Sequence, residues 1–174
     1  MPWEVVPDQT SVITITSYVR YLIVGHNRMT NVSGPTIQFY GQVYNSMVEN
    51  NQLDNTQQGI SIRSLGPYHP GGYLSTFDNE VLNNTLSGVA PYPNTTDSYG
   101  ISVASLDVDN AISGLVVRGN TVFSPEAIFL SEVWDTNLNN LNSILVEDNQ
   151  ADLSPSTLTV MPSLLSVLFN NNHP

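Results

Sequence analysis

Leu22-Ile-Val-Gly-His-Asn27, Ser46-Met-Val-Glu-Asn-Asn51, Leu115-Val-Val-Arg-Gly-Asn120, Ile144-Leu-Val-Glu-Asp-Asn149 and Val167-Leu-Phe-Asn-Asn-Asn172 share one design. Each runs through an apolar stretch into a corner that ends in asparagine. A sixth copy is read at Leu74-Ser-Thr-Phe-Asp-Asn79, which sets the spacings between successive asparagines at 24, 28, 41, 29 and 23 residues. Two residues beyond the asparagines stand Met29, Leu53, Val81, Val122 and Ala151. A second block recurs once per unit: Ile13-Thr-Ile15, Ile37-Gln-Phe39, Ile60-Ser-Ile62, Ile101-Ser-Val103, Ile128-Phe-Leu130 and Leu158-Thr-Val160. Alternation with period two predicts strands with one buried face. Self-similarity at a period of roughly 20–50 residues is the mark of a repeat architecture.

Six such units predict an all-β solenoid of parallel strands, about six coils long, each coil advancing about 4.8 Å along the axis. From the second block to the next asparagine is 14 residues in units one, two and six, and 19, 19 and 21 in units three, four and five. Extra residues of that kind are accommodated as loops off the coil. Asparagine suits an inward corner because its amide can accept from one coil and donate to the next, forming a ladder of satisfied buried groups. Asn27, Asn51, Asn79, Asn120, Asn149 and Asn172 are therefore expected in one column, with Ile13, Ile37, Ile60, Ile101, Ile128 and Leu158 stacked in another. An antiparallel sandwich would also show many short strands, but it gives no reason for asparagine to recur in phase with two apolar columns. Only residues 138–145 have any helical character, and their asparagine content argues against it. The domain reading is a lead-in over 1–10 and a β-helix over 11–174.

The rungs Val24–Asn27–Met29, Val48–Asn51–Leu53, Val117–Asn120–Val122 and Val146–Asn149–Ala151 resemble the right-handed parallel β-helix repeat of the pectate-lyase-like superfamily, over nearly the whole chain. The resemblance implies a right-handed coil. It leaves function open, since that superfamily includes polysaccharide lyases, glycoside hydrolases, epimerases, tailspikes, adhesins and non-catalytic surface proteins, and fold alone does not choose among them.

Composition narrows the field. Leu, Ile, Val and Phe make up 51 of 174 residues, ample for a core. Lysine and cysteine are absent, and Arg20, Arg28, Arg63 and Arg118 are the only strong cations in a chain of net charge −11. A surface of that sign excludes phosphate-tracking nucleic-acid binding and attraction to anionic membranes. No apolar run approaches the ~18 residues of a membrane span. Twenty asparagines, 19 serines and 14 threonines instead suggest an extracellular or cell-surface protein that is non-catalytic, with a structural, adhesive or glycan-contacting role.

The alternative is a carbohydrate-active enzyme or a fragment of one. Its candidate groups follow the second block in units three to five: Arg63, Tyr68 and His69; Asp107 and Asp109; Glu132, Trp134 and Asp135. A lyase would use Arg63 or His69 as base, with Asp107, Asp109 and Glu132 offering hard oxygens to Ca²⁺. A hydrolase would pair Asp107 or Asp109 with Glu132 or Asp135. A glycan binder would need only platforms such as Tyr68, Tyr92, Tyr99 and Trp134. Against these stands the ordinary use of Asp and Asn in turns that bond their own backbone, and no cofactor other than Ca²⁺ is suggested.

Four residues before each asparagine stand Ile23, Met47, Ser75, Val116, Leu145 and Leu168. Positions three and five before it are expected inside, so this column should face outward. An exposed apolar stripe usually marks an interface, which makes Ile23, Met47, Val116, Leu145 and Leu168 candidate contacts with another copy or with further chain segments.

Overall fold

The β-branched, alternating blocks form strands, and every strand pairing is parallel. The computed structural model describes residues 12–16, 18–64, 75–89, 99–105, 111–124, 126–132, 141–151, 158–160 and 167–173, with backbone alone for 105, 126–132, 151, 158–160 and 167. Among the described residues there are three parallel sheets and no helix.

The first sheet runs Gln150–Ala151, Thr121–Val122, Thr85–Ser87, Gln52–Arg63, Tyr99–Ser105, Glu126–Glu132 and Leu158–Val160, with Arg28–Tyr40 bridging Ile13–Ile15 to Gln52–Arg63. The second holds Val19–Arg20, Val43–Tyr44, Thr76–Phe77, Ile112–Ser113 and Leu141–Asn142. The third holds Ile23–Gly25, Met47–Glu49, Glu80–Leu82, Val116–Arg118, Ile144–Glu147 and Val167–Asn170. Along the chain the second sheet is visited, then the third, then the first, and the order recurs. Long strands such as Gln52–Arg63 serve the first sheet twice, pairing with Thr85–Ser87 early and Tyr99–Ser105 late.

The expected column Ile13, Ile37, Ile60, Ile101, Ile128, Leu158 is in register throughout. Its companions Phe39, Ile62 and Val103 lie beside it, and with Val24, Val48, Val81, Val117 and Val146 they form one hydrophobic core. Fully burying each such side chain contributes roughly 1.5–3 kcal/mol.

The asparagine ladder exists with one substitution in its membership. Its rungs are Asn27, Asn51, Asn84, Asn120, Asn149 and Asn172, joined by Nδ2–H···Oδ1 bonds of 2.9–3.0 Å. From Asn51 onward, each Oδ1 also accepts the backbone N–H of the preceding rung's asparagine. Each Nδ2 donates to the carbonyl three residues before that asparagine: Val24, Val48, Val81, Val117 and Val146 in turn.

Asn79 does not belong to this column. It lies one column over, with Leu22, Ser46, Leu115 and Ile144. There its Oδ1 accepts the Ser46 N–H, and its Nδ2 donates to the Val43 carbonyl and Thr76 Oγ1. Both corners turn inward and both bury an amide, so an asparagine is satisfied at either. The unit-three copy is thus Asn79-Glu-Val-Leu-Asn-Asn84, with Val81 matching Val48 and Val117 and Leu86 matching Leu53 and Val122.

The corners explain the excess of asparagine. The residue before each ladder asparagine (His26, Asn50, Asn83, Gly119, Asp148, Asn171) has φ between 47° and 65°. A second set, Tyr21, Asn45, Asp78, Gly114 and Ser143, has φ between 48° and 67°, and Asn31, Asn55 and Gly88 make a third. Left-handed backbone costs ordinary residues roughly 1–2 kcal/mol, and Asn, Asp and Gly tolerate it best. At Gly114 the requirement is double, because a Cβ there would lie 2.2 Å from Asp78 Oδ1.

Candidate functional site

The second sheet buries one residue of each two-residue strand and turns the other outward. Val43, Thr76, Ile112 and Leu141 are buried. Arg20, Tyr44, Phe77, Ser113 and Asn142 form the outward row, paired in register strand by strand. In its first three places this row is aromatic and cationic. The Tyr44 and Phe77 rings stack with centroids 5.4 Å apart and planes at 17°. Tyr18 leans against Tyr44 at 5.6 Å and 58°.

The Arg20 guanidinium lies 4.8 Å from the centre of the Tyr18 ring and 5.5 Å from that of Tyr44. Such a cation over an aromatic face gains roughly 0.5–1 kcal/mol at an exposed site. Tyr18 remains 57% exposed and Tyr21, at the next corner, 76%.

Beside this row an open groove of about 290 Å³ follows the corner between the second and third sheets. Tyr21, Asn45 and Asp78 form one wall, Ile23, Met47 and Glu80 the other, and Leu22 and Ser46 the floor. The Gly114 corner leaves space that Asp78 Oδ1 occupies. The face therefore combines aromatic surface, a guanidinium, an amide and two carboxylates.

The enzymatic candidates fare differently. Arg63 ends the strand Gln52–Arg63, half-buried, in register with Tyr40 and Ala104, and its Nη2 donates to Gln58 Oε1 at 3.5 Å. Glu132 pairs with Ser105, one step past the row that carries Arg63, Ala104 and Ser131, so the register does not place Arg63 and Glu132 in line. Tyr99 opens the strand Tyr99–Ser105 opposite Glu126. Tyr68, His69, Tyr92, Asp107, Asp109, Trp134 and Asp135 lie outside the described residues. So do two of the three proposed Ca²⁺ ligands, and Glu132 is described by its backbone alone. Among the described residues no three His, Asp or Glu side chains come together at a spacing that would hold a metal ion.

The outward column of the third sheet is Ile23, Met47, Glu80, Val116, Leu145, Leu168. Glu80 takes the place expected for Ser75, because the ladder runs through Asn84. The stripe is thereby split into Ile23–Met47 and Val116–Leu145–Leu168. Ile23 is 63% exposed and Leu168 62%, and the members between them are half-buried.

The chain matches no family model, and no curated protein or solved structure shows significant similarity to it.

Proposed function

We propose that the three sheets are the walls of one right-handed parallel β-helix of about six coils, of the pectate-lyase-like kind, and that this protein is a non-catalytic, extracellular glycan-contacting scaffold. The recurrent order of the sheets and the continuous ladder support the coil. One observation carries the function: the outward row Arg20, Tyr44 and Phe77, with Tyr18 leaning on Tyr44, in which a repeat scaffold groups aromatic rings at its surface. Sugars stack their C–H faces on such rings, while Asn45, Asp78 and Glu80 beside them offer hydrogen bonds to hydroxyls. A chain with no lysine and few charges among many Asn, Ser and Thr side chains fits a protein that works among polysaccharides.

Affinity electrophoresis through neutral and acidic polysaccharides, with and without Ca²⁺, tests this reading. At least one polysaccharide is expected to retard the protein without being degraded. Tyr44→Ala, with unchanged circular dichroism, should weaken the interaction about tenfold, equivalent to ~1.4 kcal/mol. Chain cleavage or unsaturated product abolished by Asp107→Ala or Glu132→Ala would favour the enzyme instead.

A further inference from the structure

The groove between the second and third sheets has two unlike halves. Over the first two repeats its walls are Tyr21, Ile23 and Met47, with the exposed Asn45 amide beside them. At the third repeat the walls are Asp78 and Glu80. Ile23, Met47 and Glu80 are strand neighbours in register. The apolar end and the acidic end therefore lie two strand spacings apart, roughly 10 Å. Glu80 is the charged member of an outward column that otherwise reads Ile23, Met47, Val116, Leu145 and Leu168. It is half-buried there.

Neither carboxylate has a counter-ion in the protein. Among the described residues the Asp78 and Glu80 side chains make no hydrogen bond and no ion pair, and no basic residue lines the groove. The arginines are engaged elsewhere. Arg28 faces Asp54 at 3.9 Å and Arg118 pairs with Glu147. Arg63 donates to Gln58 on the first sheet. Arg20 lies over the Tyr18 and Tyr44 rings, and its strand is two removed from the one that ends at Phe77, beside Asp78. That is roughly 10 Å, beyond the ~8 Å screening length of physiological salt. A charge partly withdrawn from water and left unpaired is costly, and a cation bound in the groove removes that cost.

We propose that the groove binds a glycan carrying free amino groups, with the protonated amine of one amino sugar between Asp78 and Glu80 and the adjoining ring against Met47, Ile23 and Tyr21. The inference rests on the glycan reading above and gives that glycan its chemical class. Sign and shape select it together. An ammonium has three N–H donors and no acceptor, which suits two carboxylates and the Asn45 amide oxygen. Its bonds to carboxylates are charge-assisted and about twice as strong as neutral ones. The apolar wall takes the C–H face of a sugar ring, a surface that a metal ion leaves unused. An N-acetylated sugar presents a neutral amide at the same place and leaves both carboxylates without a counter-ion. A lysine-rich peptide matches the charge but not the ring surface.

Calorimetric titration of the whole chain with a linear glucosamine trimer, against its N-acetylated counterpart, tests this at moderate salt and at a pH where the sugar amines are protonated. The amino trimer is expected to bind at least about tenfold more tightly. Asp78→Asn with Glu80→Gln should erase that difference. Both substitutions keep the side-chain shape, and asparagine suits the left-handed backbone of position 78, where φ is 53°. Glu49→Gln with Asp148→Asn removes the same charge away from the groove, again with one change at a corner of φ 53°, and should leave the preference intact. Equal loss in the two neutralised variants would overturn the proposal, as diffuse attraction to a chain of net charge −11. A lysine trimer that binds as tightly as the amino sugar would overturn it too, as recognition of a peptide. Equal affinity for the two sugar trimers, with polysaccharide retardation still weakened by Tyr44→Ala, rejects the amino-sugar class and keeps the glycan reading. Absence of binding by both trimers and by every polysaccharide rejects both.

Discussion

Asn120→Ala is expected to lower stability by about 3–6 kcal/mol, a large part of the ~5–15 kcal/mol that holds a domain folded. Asn120 is fully buried. Its Oδ1 accepts the Asn84 N–H at 2.9 Å and the Asn84 Nδ2–H at 3.0 Å, and its Nδ2 donates to the Val81 carbonyl and to Asn149 Oδ1 at 2.9 Å. Alanine leaves the Asn84 N–H and one Asn84 Nδ2–H buried without an acceptor, and it takes a donor from the Val81 carbonyl and from Asn149 Oδ1. Each such group costs roughly 1–3 kcal/mol. Asn83→Ala, one residue from the neighbouring rung, should cost only about 1 kcal/mol. Its side chain is exposed, and what is lost there is the left-handed tolerance of asparagine. Urea unfolding of both variants, compared at constant m, checks the contrast.

The second large effect is expected at Gly59. It lies buried within the strand Gln52–Arg63, and a Cβ at this position would sit 2.1 Å from Leu86 Cδ2 and 2.4 Å from the Gly100 carbonyl oxygen. Leu86 is itself fully buried and has little room to turn away. The carbonyl belongs to the neighbouring strand and cannot move without opening the sheet. Gly59→Ala should therefore cost about 3 kcal/mol, the upper end of ordinary overpacking. Adding Leu86→Ala removes one clash and leaves the other, so it should not restore stability. Thermal unfolding of the single and double variants measures this directly.

The sequence alone carries the class of fold, the apolar column from Ile13 to Leu158, and five of the six ladder positions. Strand alternation and a recurrent buried amide leave a periodic trace, and both survive loops of varying length. Unit three is where the reading slips, because two inward asparagines, Asn79 and Asn84, stand five residues apart and both accept from the neighbouring repeat. A spacing of 28 looks closer to the neighbouring 24 than the true 33 does. What separates the two is the residue three before: Val81 precedes Asn84 as Val24 and Val48 precede their asparagines, whereas Thr76 precedes Asn79.

That slip also hides the aromatic row. Seven residues before Asn27, Asn51 and Asn84 are Arg20, Tyr44 and Phe77. Seven before Asn79 is Gly72, and the column vanishes. The enzymatic candidates were chosen for residue type and rough offset from the apolar block, and most of them lie outside the described residues. For Arg63 and Glu132, the two of these on paired strands, register is the only guide, and it sets them on different rows.

The central claim, that one amide ladder joins the six repeats in sequence, is most directly tested by nuclear Overhauser contacts of the asparagine side-chain Nδ2 protons. They are expected to link Asn27, Asn51, Asn84, Asn120, Asn149 and Asn172 in that order, while the Asn79 protons contact Val43 and Thr76. A chain of contacts that passes through Asn79 in place of Asn84, or one that breaks between any two neighbouring rungs, would contradict the account.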